Sequence, residues 1–421
     1  MLRIFKNTSF SLFVGSRTIA NIADSVYFMA ILWLVQTASG SVAFTGLAYS
    51  AMSVALLFSF AFGPIIDRYS PALLAGIALL VQSVIIAAIP FLGVAGNQVP
   101  LLLALLFIAA LFSALYYPAI NTLLPRILRG KEDLFAGNSI IGSTDEIINL
   151  AGFLAGGSII VAFGVNQTLF LSAAMLLAAC AAYFILTKRL AATPAPGLEE
   201  ADLEQGERLP ANFKTYLSEL KEGMQFVLNN DFLRLVLPLS AISNLGMAIV
   251  IIVIPSVGES FGSAFYFSLL YVASFVGMII GALLSNALPK NGLVMSAFWI
   301  GEGIALILFV LLPHQFVWKL VAVILFGICS GLNTVLLTSF VQLMTKEHLL
   351  GRVMSAVSTL ASISLPLGGL LGGLLSFWLS VDWIMIISSA LIVSSGLFLL
   401  FKEQIRSYTV DEPVQAKEVS V

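Results

Sequence analysis

Four charged side chains stand inside stretches that are otherwise apolar. They are Arg17 and Asp24 in residues 10–36, and the adjacent Asp145 and Glu146 in residues 135–163. A carboxylate at the centre of a bilayer costs roughly 2.5–3.5 kcal/mol on insertion scales, so such groups persist where they face protein or water inside a bundle. An acid in that position can take up and release a proton, because burial disfavours its anion while a nearby cation favours it. On a helix, Asn138, Gly142, Asp145, Asn149, Gly152 and Gly156 recur at spacings of three and four and form one small, polar face. Asp145 is central on that face, and Glu146 lies about 100° round from it. Arg17 precedes Asp24 by seven residues, on the same side of a helix but about 10 Å lower. Its partner is therefore expected on another segment or at the interface. A second reading remains open for each acid: Asp24 as part of a structural ion pair, and Asp145 or Glu146 as a tie between neighbouring helices. Asn21, Tyr27, Asn149, Asn244 and Asn333 are candidate contacts to a bound small molecule, and each also fits plain packing. For Glu302 a packing role is expected, and for Glu259 a solvated turn.

The stretches that carry these groups follow from composition. The chain has 421 residues, 59% hydrophobic and 10% charged, with mean hydropathy +1.03. Soluble domains are about 45–50% apolar and about 25% charged, so this is a polytopic membrane protein and not a soluble enzyme. A net charge of −2 argues against a nucleic-acid partner. Cys180 and Cys329 fall in apolar runs, and His314 and His348 are far apart, so neither a disulfide framework nor a metal site is expected. No glycine-rich phosphate loop appears, and no cofactor is expected. No cleavable leader is expected either.

A span needs about 20 apolar residues. Twelve candidates follow: 10–36, 43–66, 71–93, 100–124, 135–163, 167–187, 232–257, 264–288, 292–312, 316–340, 353–378 and 382–401. The expected fold class is all-α, with twelve transmembrane helices in two six-helix halves, 1–187 and 232–401. The insert 188–231 and the tail 402–421 are polar. With both termini in the cytoplasm, all of the 20 Lys and Arg except Arg17 and Lys319 fall on the cytoplasmic side. Within the insert, 192–211 reads as an acidic linker. Residues 213–230 set Phe213, Tyr216, Leu217, Leu220, Met224 and Val227 on one stripe, an amphipathic helix for the inner membrane surface.

The two halves echo each other. GPIIDRYSP (63–71) follows span two and GALLSNALP (281–289) follows span eight, each with Gly and Pro eight residues apart. Asn121-Thr122-Leu123-Leu124 and Asn333-Thr334-Val335-Leu336 stand near the ends of spans four and ten. A parallel repeat of six spans, related by a pseudo-two-fold axis, is one way transporters build a midplane site.

On these stretches the chain resembles the major facilitator superfamily over essentially its full length. Gly63, Asp67 and Arg68 match the superfamily's signature between spans two and three. Residues 16–35, 124–139 and 351–369 are most similar to the bacterial drug and macrolide efflux branch, which also holds siderophore exporters. Gly152-Phe153-Leu154-Ala155-Gly156-Gly157 is similar to the end of the antiporter signature, with Phe153 where that signature has Pro. The resemblance implies a bacterial inner-membrane protein, a monomer, that exports amphipathic small molecules against protons. It also implies that Asp24 and Asp145 face a common cavity with Arg17 as counter-charge, supported by Glu146. Gly63, Asp67 and Arg68 would form a cytoplasmic gating loop. A dedicated metabolite, siderophore or lysolipid exporter, an uptake symporter, and a non-transporting sensor or scaffold stay open.

Overall fold

The computed structural model describes residues 2–92, 98–128, 131–192, 213–345, 349–406 and 408. Its elements are helical. In the first part of the chain they are α1 (Thr8–Ser39), α2 (Val42–Leu56), α3 (Gly63–Arg68), α4 (Pro71–Ala88), α5 (Val99–Asn121), α6 (Leu124–Ile127), α7 (Lys131–Phe163) and α8 (Val165–Ala192). Then come α9 (Phe213–Asn229), α10 (Asp231–Ser260), α11 (Ala264–Leu284), α12 (Gly292–Leu311), α13 (Phe316–Met344), α14 (Leu350–Leu375), α15 (Val381–Leu400) and α16 (Glu403–Arg406). Among the described residues, 11 helices are long and apolar enough to cross a membrane, and α2 is a shorter apolar helix in the position of the remaining span.

Local chemistry sets the ends of these helices. The Asn7 side chain accepts from the N–H groups of Ser9 and Phe10 and caps α1. Gly40 closes that helix at φ 61°, a left-handed position that costs glycine little. Asn230 joins α9 to α10, and its side chain accepts from Phe232 and Leu233 N–H. Span two differs from expectation. The apolar run was expected to be one helix over 43–66, but α2 stops at Leu56, and a 3-10 turn over Ser59–Phe62 leads into α3. Pro64 accounts for the separate start of α3: it has no N–H to donate and its ring displaces the carbonyl four residues earlier, so it suits only a first helical turn.

The chain divides into two compact units. The first comprises Met1–Glu219, Ile251–Val272 and Leu365–Trp378. In it α1 packs against α2, α7 and α8, and α4 against α5 and α8. Ser83 Oγ donates to Ala173 O at 2.8 Å across the α4–α8 contact. The Tyr116 and Tyr183 hydroxyls meet at 3.0 Å in the core. At the end of the bundle that holds Gly40, helices approach closely. Gly46 lies on Gly369 and Gly373, and Gly157 on Ser268, the small-residue packing that membrane helices use. Gln36 ties the same end: it donates to Glu259 at 2.9 Å and accepts from Thr45 at 3.0 Å. Glu259, expected to be solvated, thus has a buried partner.

The second unit comprises Leu220–Val250, Ala273–Ser364 and Leu379–Val421. Here Gly277 and Gly281 of α11 face Gly327, Ile324 and Ile328 of α13, while Gly327 and Gly331 face Ser274 and Met278 in return. The two Gly-x-x-x-Gly motifs give this seam its closeness. Gly223 of α9 lies against the backbone of Arg352 at the start of α14, and Glu222 pairs with the Arg352 guanidinium at 2.6 Å. The amphipathic helix expected over 213–230 therefore forms and is docked on α14. Lys319, one of the two basic residues outside the expected cytoplasmic set, is 5% exposed and donates to Phe309 O and Leu312 O. It caps the carbonyl end of α12, where a cation complements the helix dipole.

Candidate functional site

The first unit brings three of the expected polar residues together. Arg17 grips Asp145 with two bonds, Nη2 to Oδ2 at 2.6 Å and Nε to Oδ1 at 3.2 Å. Asn21, one turn further along α1, donates to Asp145 Oδ1 at 2.7 Å. The Arg17 side chain is 10% exposed and that of Asp145 24%. A two-pronged guanidinium–carboxylate contact is strong and directional, and it places both charges where apolar helices can carry them.

The rest of the small polar face of α7 explains why this pair forms. Residues 17, 21, 25 and 29 of α1 meet residues 145, 149, 152 and 156 of α7, turn by turn. Ser25 Oγ donates to Asn149 Oδ1 at 3.3 Å. A side chain at Gly152 would lie 2.6 Å from Ser25 Cβ, and one at Gly156 would lie 3.1 Å from Met29 Cβ. From Asp145 towards the Gly40 end, that face meets protein. On the other side of Asp145 the contact is interrupted for about two turns before Gly137 meets Phe10. A side chain at Gly142 would meet nothing within 4 Å, and a small pocket opens, lined by Phe13, Arg17, Ile120, Asn121, Leu124, Asn138 and Ile141.

Asp24 is placed differently. It accepts a long hydrogen bond from the Tyr117 hydroxyl of α5, at 3.4 Å. No ion pair involves it among the described residues. Asp24 and Asp145 are thus held by different neighbours. Tyr27, three residues on, is 7% exposed, and among the described residues its hydroxyl has no hydrogen-bond partner. Four rings crowd the next turn: Phe28 lies 6.3 Å from Tyr49, 6.1 Å from Phe153 and 6.2 Å from Tyr271, measured between centroids. Tyr271 is fixed by its hydroxyl, which donates to Ile251 O at 3.0 Å. That carbonyl is left free because Pro255, four residues later, has no N–H. Phe28 is the hub of this ring cluster, and the sequence reading did not single out Phe28, Phe153 or Tyr271 as site residues. A faint signal was present in Phe153, at the position where the resembled signature has Pro.

Of the remaining candidates, Asn244 is half-buried in the second unit. Asn333 is 7% exposed and lies between Glu302 and the Met295–Trp299 turn of α12. In one amide orientation its nitrogen is 3.4 Å from Glu302 Oε2; in the other it donates to Met295 O and accepts from Trp299 N–H. Beside it, Trp299 Nε1 donates to Ser243 Oγ at 2.8 Å. Gly63 is buried at the start of α3 and Arg68 is exposed in its last turn. The side chains of Asp67 and Glu146 lie outside those described, as does the linker 193–212. Among the described residues no group of His, Cys, Asp and Glu could hold a metal.

Comparison with known proteins adds the following. Residues 13–242 and 236–420 each match the family model described as Major Facilitator Superfamily. The Enterobactin exporter EntS of Salmonella choleraesuis is 31% identical over 159 residues, 36% of this chain and 37% of that protein. The protein of the same name from Salmonella typhimurium matches to the same extent. The match spans little more than a third of the length of these relatives. Among solved structures, the nucleoside transporter NupG superposes with TM-score 0.69 at 13% identity, covering 95% of this chain and 100% of that one. An auto-inhibited POT family peptide transporter gives TM-score 0.68 at 12% identity, covering 96% and 99%. At such identities the likeness is one of fold.

Proposed function

The chain belongs to the Major Facilitator Superfamily, and on that premise we propose that it is a proton-coupled exporter of amphipathic small molecules, working by alternating access. The observation that carries this reading is the Arg17–Asp145–Asn21 cluster, a charged group set between two apolar helices, near the middle of α7 and about a third of the way along α1. A carboxylate held by one guanidinium has two stable arrangements, paired and anionic or protonated and released, and a transport cycle needs an element whose two states a proton can bias. Asp145 is the main coupling acid, Asp24 the second, with Glu146 beside them and Arg17 as the counter-charge. Asn21, Tyr27, Asn149, Asn244 and Asn333 supply polar contacts to the substrate. Gly63, Asp67 and Arg68 form a gating loop, so that Asp67→Asn impairs flux without preventing insertion. The halves 1–187 and 232–401 move against each other, joined by 188–231 and followed by the tail 402–421. The protein is a monomer of the bacterial inner membrane with both termini in the cytoplasm, an orientation supported by the distribution of Lys and Arg.

A narrower reading, export of one siderophore-like metabolite, is favoured by the 31% identity to the enterobactin exporters. Flux in proteoliposomes with an imposed pH gradient tests both. A substrate panel separates broad from dedicated export. If Asp145→Asn still accumulates substrate against its gradient in a proton-dependent way, Asp145 is not the coupling acid.

A further inference from the structure

Gln36 is 2% exposed, yet both ends of its carboxamide are used. Nε2 donates to Glu259 Oε2 at 2.9 Å, and Oε1 accepts from Thr45 Oγ1 at 3.0 Å. Thr45 is itself fully buried. The three residues belong to α1, α10 and α2, so one side chain joins three helices. A carboxamide suits the place because it donates at one end and accepts at the other. The rest of the Gly40 end closes mainly by fit. Gly46 of α2 lies on Gly369 and Gly373 of α14, and Gly157 of α7 on Ser268 of α11. Trp33 of α1 stacks on Phe267 of α11, with centroids 5.9 Å apart and 19° between the planes. Ser50 Oγ of α2 adds a neutral bond to Pro366 O of α14, at 2.9 Å. Each of these contacts, like the Gln36–Glu259 bond, joins a helix of the first six-span half to one of the second. The second-half residues all fall in 251–272 and 365–378, the two stretches of that half that belong to the first compact unit.

Close packing of small residues rests on van der Waals contact, which water largely replaces when the helices part. A hydrogen bond to a carboxylate is stronger and fixed in direction. Where two states of a joint lie close in energy, one such bond sets their populations. We propose that Gln36 is a positioning residue for transport: by bridging Thr45 and Glu259 it holds the Gly40 end shut and sets how often that end opens to release substrate. On the proposed orientation this is the outer end. The bridge has a polarity that substitution can reverse. Gln36→Glu sets two carboxylates against each other. Combined with Glu259→Gln it rebuilds the bridge, since the carboxylate at position 36 accepts from both Thr45 and the amide at position 259.

This inference rests on the transporter reading, and the experiment keeps the two apart. Full-length protein is expressed in intact cells with Cys180→Ala and Cys329→Ala, and with Ser268→Cys, nearly isosteric and fully buried against Gly157, as reporter. The rate of labelling by a charged, membrane-impermeant maleimide reads opening of the outer end, and flux driven by a pH gradient is measured beside it. Relative to this parent, Gln36→Glu is expected to label about tenfold faster, the scale of losing one charge-assisted bond. Glu259→Gln keeps a neutral acceptor and is expected to label about threefold faster. The exchange variant is expected to return to within about twofold of the parent. Faster labelling in Gln36→Glu that the exchange does not reverse would mean that any disturbance loosens this end, and overturns the bridge. A lower melting temperature in Gln36→Glu with unchanged labelling would leave Gln36 a packing residue and overturns it too. Unchanged labelling throughout, with flux intact, overturns the bridge and leaves the transporter reading standing. The expected labelling pattern in a protein without flux of any panel substrate does the reverse.

Discussion

Asp145 and Glu302 are both acids inside apolar helices, and the two units hold them in different ways. Asp145 is a quarter exposed and is gripped by Arg17 and Asn21. Glu302 is 5% exposed, and among the described residues it forms no ion pair. Its neighbours are Asn333, Ser330 and Cys329. A charge pair beside a pocket can exchange partners, because protonating one member leaves the other free for water or substrate. A buried acid held by an amide and a hydroxyl has no counter-charge to release on protonation. The difference suggests that the first unit carries the switching chemistry and that the second uses its acid to hold α12 and α13 together.

The largest test of that contrast is flux. Asp145→Asn is expected to lower pH-driven transport by at least about tenfold, an activation cost of roughly 1.4 kcal/mol or more. Glu302→Gln, nearly isosteric, is expected to stay within about twofold of wild type. A Glu302→Gln variant as inactive as Asp145→Asn would erase the contrast.

Stability gives the next effect. Arg17→Leu strands a carboxylate and is expected to cost roughly 3 kcal/mol, at the low end for buried pairs because Asp145 keeps partial exposure. The double variant Arg17→Leu/Asp145→Leu should recover most of that loss in a melting experiment, since well-packed apolar residues often replace a buried pair without penalty. It should still show no pH-driven flux. Recovery of flux in the double variant would mean that the pair is purely structural.

The smallest effect concerns the second unit. Ser243→Ala leaves the Trp299 indole N–H without its acceptor and is expected to cost about 1–2 kcal/mol of stability, with transport little changed. At the other end of α12, Lys319→Met removes the cap on the Phe309 and Leu312 carbonyls and should cost about 1 kcal/mol. A transport defect larger than the stability loss in either variant would show that this unit takes part in switching.

Much of the fold could be read from the chain before any coordinates. Helix positions followed from apolar runs of membrane length, and the two-fold repeat from Gly63–Pro71 against Gly281–Pro289. The family followed from the same motifs. The break after Leu56 was not legible, because residues 57–62 are as apolar as the helix before them and hydropathy does not report helix continuity. At the candidate site, sequence singled out Arg17, Asp24 and Asp145 and ruled out a comfortable contact between the first two. It also placed Asn149, Gly152 and Gly156 on the face of Asp145. The choice of Asp145 as the partner of Arg17 was beyond it, since several acids were available and pairing depends on which helices are neighbours.

By itself, the sequence determined that this chain crosses a membrane repeatedly, that it does so in two related halves, and that a few charged residues lie where each is costly. Those are local properties, set by transfer free energy and by the 3.6-residue period of a helix. Only the tertiary structure decided that Arg17 and Asn21 hold Asp145, that Asp24 is left to a tyrosine and a ring cluster, and that Glu259 is tied to Gln36. Those depend on contacts between residues 93 to 223 positions apart, and no local rule specifies which distant helix will face which.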